Sequence, residues 1–170
     1  MDKLKFHFLH LFFLNLQLNS ISVVIAGVGK SNLAENDLFI VVQTNNLLGE
    51  LAILKYHNFH KDWTEAKKLV HDQNLIESIE KAFGKITSLW PDIDKYRNEV
   101  ISHPFARPFQ GTINKRQSIF SISSNPDYLI PFDKEAVLQL IEYVGDIAHI
   151  IWKFYPGWFN EFVDGTFPPK

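Results

Sequence analysis

Residues 73 to 101 place their apolar side chains at helical spacing, which constrains the fold of this chain more than any other feature. Leu75, Ile76, Ile79, Phe83, Ile86 and Leu89/Trp90 recur every three or four positions after Asp72, the period that puts apolar groups on one face of a helix. Val137, Leu138, Ile141, Val144, Ala148, Ile151 and Trp152 repeat the pattern near the C-terminal end, with Asp133 placed to cap that helix. Between them, Pro91 punctuates the chain. It opens or kinks a helix carrying Ile93, Tyr96, Val100 and Ile101, which should end near Ser102 because Pro104 disfavours helical geometry at His103.

The first third is also apolar, with less clear punctuation. A helix is expected from residue 3 to about residue 19, read as a packed core helix. Lys3 and Lys5 ahead of the Phe- and Leu-rich run from Phe6 to Leu18 superficially resemble a secretory leader. However, His7, His10, Asn15, Gln17 and Asn19 interrupt the run, no small-x-small cleavage site follows, and the run is short for a membrane span. Ile21-Ser22-Val23-Val24-Ile25 reads as a short strand or a buried connection, with Gly27 and Gly29 breaking the chain after it. A second helix is expected over about Asn32 to Tyr56, and Asp62-Trp63-Thr64-Glu65 has the spacing of a capping pair that would start a further short helix. Residues 105–131 read as a loop, with a small hairpin as the alternative around Ser118 to Ser123, before the turn signal Ser124-Asn125-Pro126-Asp127. The tail over 156–170 holds Trp158, Phe159, Phe162 and Phe167, which should pack on the domain or on a second subunit.

These readings give an all-α fold, a bundle of four to five helices with a long loop or small hairpin before the last. Residues 1–170 form a single domain. The 46% hydrophobic content supplies a core without staples. The absence of cysteine excludes disulfides, thiolate metal sites and cysteine nucleophiles. A net charge of −2 gives no global sign of nucleic-acid binding, so any anion site must be built from local charge.

Such local charge follows the helix that begins at Pro91. Val100 through Pro126 contains no acidic residue but includes Arg107, Lys115 and Arg116, a basic stretch suited to holding an RNA backbone. Just before it comes Arg97-Asn98-Glu99-Val100-Ile101-Ser102-His103. Six helical steps separate Arg97 from His103 by about 9 Å and roughly 120° around the axis. A long arginine, and a helix that unwinds at the histidine, allow both tips to reach one anion. Glu99 lies four residues before His103 and can orient its imidazole. These groups suffice for RNA cleavage without a metal, because the ribose 2′-hydroxyl is an internal nucleophile. Histidine moves protons near neutral pH, and arginine holds the phosphate and stabilises charge in the transition state.

The stretch Tyr96 to Pro104 resembles the signature of the HEPN superfamily, an Arg followed by a polar residue and then, a few positions later, a His. The detailed likeness covers about ten residues, and agreement in helical architecture and chain length accompanies it. The resemblance implies a cytoplasmic, metal-independent endoribonuclease that requires no cofactor and works on RNA as a homodimer. Many members are toxins with an antitoxin partner or abortive-infection factors. It also implies a catalytic role for His103, phosphate and transition-state binding for Arg97, and a supporting role for Asn98. Members silenced by a nucleotidyltransferase antitoxin carry a tyrosine two positions after the histidine. Phe105 stands there in this chain, which implies that it is not silenced in that way. The rival expectations are a non-catalytic RNA-binding or scaffold member of the same fold, and an unrelated helical protein-interaction module using the aromatic tail.

Other motifs read blandly. Gly27-Val28-Gly29-Lys30-Ser31 looks like the end of a phosphate-binding loop, but that pattern needs a glycine where Val24 stands. The three histidines His57, His60 and His71, with Asp62 nearby, lack a convincing fourth ligand and read as polar surface; His7 and His10 are read in the same way, and His149 as a satisfied, partly buried histidine.

Overall fold

A computed structural model of the chain describes residues 2–30, 38–98 and 134–166. Six helices account for these segments: α1 Lys3–Lys30, α2 Leu38–Lys67, α3 Gln73–Leu89, α4 Ile93–Tyr96, α5 Lys134–Phe154 and α6 Pro156–Thr166. No strand occurs among the described residues. The expected hairpin around Ser118–Ser123, the loop over 105–131 and the cap at Asp133 lie outside them.

α1 and α2 are long, 28 and 30 residues. α1 does not stop near residue 19, and the stretch from Ile21 to Ile25 is helix rather than strand or connection. The reason is burial: Leu18, Ile21 and Ile25 are all buried and continue the helical spacing of Phe8, Leu11 and Leu14. Packing on one face outweighs the local β-preference of a β-branched run. The helix also passes through Gly27, which therefore does not act as a breaker. With its full length, Lys3–Val28 is long and apolar enough by composition to cross a membrane, and a third of that stretch is buried inside the bundle. Phe6, Phe13, Val23 and Val24 project from its outer side.

α2 ends later than expected and absorbs the supposed short helix at Asp62, while its expected start near Asn32 lies outside the described residues. No Gly or Pro occurs between Glu50 and Lys67. Ala52, Ile53, Tyr56, Phe59, Trp63 and Ala66 form one buried stripe through this whole length. Asp62 is therefore interior to a helix rather than a cap, and its carboxylate has other partners.

α3 and α5 follow the sequence pattern closely. Asp72 caps α3, its carboxylate accepting from the backbone N–H of Asn74 at 2.9 Å and of Leu75 at 3.1 Å. A side-chain oxygen at this position satisfies donors that the first helical turn leaves open. Asp72→Ala is expected to cost about 1 kcal/mol, measured as a lower urea midpoint with an unchanged slope. At the other end of α3, the Trp90 N–H closes the last turn on the Ile86 carbonyl at 2.7 Å, and Pro91 and Asp92 form a turn into α4. The C-terminal tail is not loose: Pro156 opens α6, as suits a residue with fixed φ and no N–H to lose.

α1, α2, α3 and α5 form the bundle. α5 packs on α1, α2 and α3, while α6 folds back on α1 and α5. His7 and His10 lie against Asp62, so the start of α1 sits beside the end of α2 and the two helices run antiparallel. α1 and α5 meet at Gly145, where an added Cβ would stand 3.8 Å from Asn15 Oδ1 in ordinary contact, so the approach does not depend on glycine. Aromatic rings join α6 to the bundle. Tyr155 stacks on Trp158 at 4.3 Å, both lie against Phe8, and Phe159 meets Phe12 edge-on at 5.2 Å. Trp158 and Phe159 thus pack on their own domain, as one form of the sequence expectation held.

Candidate functional site

Asp92-Ile93-Asp94-Lys95-Tyr96-Arg97-Asn98 builds the candidate site. Ile93 and Tyr96 are buried, one turn apart, and anchor α4 to the core. That anchoring fixes which way the intervening and following residues face. After Tyr96 the chain opens into a π turn at Arg97 and Asn98, a wider turn that is rare and found disproportionately at functional positions. The Arg97 backbone N–H is shared between the carbonyls of Ile93 and Asp94, so the turn stays hydrogen-bonded.

The Arg97 side chain is partly buried. Its Nη1 donates to the side-chain oxygen of Asn98 at 2.6 Å. Using that oxygen as acceptor orients the guanidinium and leaves the Asn98 NH₂ group as a donor directed elsewhere. Arg97 Nε is buried and meets no hydrogen-bond acceptor among the described residues. A buried guanidinium N–H without an acceptor is costly, so this position suits an incoming anionic oxygen. Arg97 and Asn98, neighbours in sequence, are thus hydrogen-bonded to each other. His103, Glu99, Arg107, Lys115 and Arg116 lie outside the described residues.

Sequence reasoning did not anticipate three carboxylate–imidazole contacts, made by two aspartates. On α2, His57 Nδ1 lies 3.4 Å from Asp94 Oδ1, a long contact that crosses to α4. Asp94 also acts on neighbouring Tyr56, whose phenol is pushed well above its usual range, first by burial and then by that nearby negative charge. At the far end of α2, Asp62 receives two imidazoles: His7 Nδ1 donates to Oδ1 at 2.8 Å and His10 Nδ1 donates to Oδ2 at 3.0 Å. A carboxylate can only accept, so each ring carries its proton on Nδ1.

Asp62 is 14% exposed, and its removal would strand two imidazole donors between α1 and α2. Asp62→Ala should therefore cost about 2–3 kcal/mol, in the range of hydrogen bonds to charged groups. Asp62→Asn should cost less, because an imidazole facing the new NH₂ can move its proton to Nε2 and accept. Denaturant unfolding of the two variants checks the order.

The remaining histidines do not gather into a metal site. His60 packs against Phe83 at 4.9 Å and lies parallel to Tyr56, while His57 and Asp62 turn to different partners. Among the described residues no group of three or more His, Asp or Glu is arranged to hold a metal ion. Trp63 shows how the polar surface is satisfied instead: its indole N–H donates to Glu80 Oε1 at 2.8 Å. Burial pushes the Glu80 carboxyl up, but the bonds from Trp63 and Lys67 outweigh it and hold the group below its ordinary value.

The chain matches no protein-family model, no curated protein and no solved structure, so the chemistry of this site rests on its own residues.

Proposed function

We propose that the chain is a metal-independent endoribonuclease of the HEPN type, centred on Arg97, Asn98 and His103. The observation that carries the reading is the state of Arg97, a guanidinium oriented by Asn98 with a buried Nε–H left without an acceptor among the described residues. An RNA phosphate supplies that acceptor and the negative charge to go with it. In the reaction, the 2′-oxygen attacks phosphorus and the bond from phosphorus to the 5′-oxygen breaks. The 2′-hydroxyl gives up its proton, the leaving 5′-oxygen gains one, and the products are a 2′,3′-cyclic phosphate and a 5′-hydroxyl. Arg97 holds the phosphoryl oxygens as their charge grows, Asn98 keeps the guanidinium in place, and His103 carries a proton. The reading extends to a cytoplasmic homodimer acting as a toxin or phage-defence protein, with an antitoxin as its protein partner.

The test is cleavage of tRNA, rRNA and mRNA by the purified chain in excess EDTA, with the wild type compared with Arg97→Ala and His103→Ala. Cleavage by the wild type to cyclic-phosphate ends, lost in both folded variants, supports the reading. Undiminished cleavage by His103→Ala defeats it. Salt-sensitive RNA binding without products would instead mark a non-catalytic RNA-binding member of the fold.

A further inference from the structure

Cleavage by 2′-oxygen attack moves two protons, one off the nucleophile and one onto the leaving group, and the motif of each chain supplies one histidine for them. We propose that His57, positioned by Asp94, is the second proton-transfer residue of the site and protonates the 5′-oxygen as it leaves. The inference rests on the nuclease reading above and adds to it a residue that lies outside the motif.

The geometry begins with α4. Asp94 and Arg97 are three residues apart, which makes them neighbours on a helix surface, with Cβ atoms roughly 5–6 Å apart. Their turns are tied together directly, because the Arg97 N–H donates to the Asp94 carbonyl. His57 comes from α2, 37 residues earlier in the sequence, and its Nδ1 faces Asp94 Oδ1 at 3.4 Å. The carboxylate that touches the imidazole thus stands one helical turn from the guanidinium proposed to hold the phosphate.

The chemistry follows from the tautomer. Asp94 accepts from Nδ1–H, which leaves Nε2 as the atom that binds and releases a proton. The His57 side chain is 21% exposed and Asp94 is 54% exposed, so the pair borders solvent, where a long RNA can reach it. Asp94 acts through the imidazole that it touches, as a positioning residue. The proton that His57 delivers to the 5′-oxygen is restored from water after the product leaves, so the step balances without any further reactant.

The test uses the full-length chain in EDTA and an oligoribonucleotide containing a site cut in the assay above. It is made once with the natural 5′-oxygen and once with sulfur in place of that bridging oxygen. Thiolate leaves without a proton, so the sulfur substrate has no need of the acid. His57→Ala is expected to slow cleavage of the oxygen substrate by about 10²–10³-fold, within the usual range for a positioned acid, and to cleave the sulfur substrate within a few-fold of wild type. His57→Gln, which keeps side-chain bulk at a half-buried position, should show the same contrast. Asp94→Asn should show a smaller oxygen-selective loss. An equal loss on both substrates, or wild-type rates on both, overturns the role of His57 while leaving the nuclease reading intact. A wild type that cuts neither substrate overturns both.

Discussion

Replacing Arg97 with alanine is expected to lower RNA cleavage by about 10²–10³-fold, the usual consequence of removing one donor aimed at charge that develops in a transition state. The fold should survive, because the core beneath the site is made by Ile93 and Tyr96 and Arg97 itself is only partly buried. Truncation also removes a buried N–H that finds no acceptor among the described residues, so the folded state loses little with it. Far-UV circular dichroism and the thermal midpoint should therefore stay near wild type while the rate collapses. Arg97→Lys should rescue poorly. An ammonium keeps the charge, but it lacks the planar fork that engages two phosphoryl oxygens and is held here by the Asn98 side chain. Asn98→Ala should cost about tenfold, as a loss of orientation rather than of charge. Single-turnover rates on one RNA, with binding measured separately, distinguish these outcomes. A lysine variant as fast as wild type would mean that the guanidinium geometry is irrelevant and that Arg97 contributes only a diffuse positive charge.

How far the fold and the site could be read in the sequence depended on whether the deciding interactions were local. α3 was legible in its extent, because its apolar spacing after Asp72 and the Pro91 that follows are short-range signals; its Asp72 cap was seen only in the structure. α5 was legible for the same reason. The lengths of α1 and α2 were not. Ile21 to Ile25 carries a local preference for strand, and only contact with other helices reveals that Ile21 and Ile25 belong to the stripe begun by Phe8 and Leu11. Asp62 was misplaced as a cap because its Asp-Trp-Thr-Glu neighbourhood matches one, whereas its partners His7 and His10 lie 55 and 52 residues away. The site divides along the same line. Arg97 and Asn98 are adjacent and their contact was implicit in the motif, but the approach of His57 to Asp94 spans 37 residues and leaves no trace in any periodicity.

Phe8→Ala should be the most destabilising of the substitutions considered, at about 3–5 kcal/mol. Phe8 is fully buried near the start of α1, and its ring lies 6.5 Å from Trp63 on α2, 5.2 Å from Tyr155 between α5 and α6, and 5.8 Å from Trp158 on α6. Large aromatic neighbours on all these elements cannot collapse into the space that one benzyl group leaves, so a cavity cost adds to the lost burial. Set against a total stability of about 5–15 kcal/mol for a domain of this kind, the loss is about a fifth or more. Phe6→Ala is the control: two residues earlier in the same helix, with a ring 51% exposed, it should shift stability by about 1 kcal/mol or less. Urea unfolding followed by tryptophan fluorescence reports on the affected region, since Trp63 and Trp158 both face the cavity. The two substitutions also test the proposed site from the opposite direction to Arg97→Ala. The ring neighbours of Phe8 are Trp63 on α2, Tyr155, and Trp158 on α6, so below its unfolding midpoint the Phe8→Ala chain should cleave RNA in proportion to its folded fraction. A specific loss of cleavage in a fully folded Phe8→Ala chain would place the catalytic surface at the α1–α6 end of the bundle rather than at Arg97.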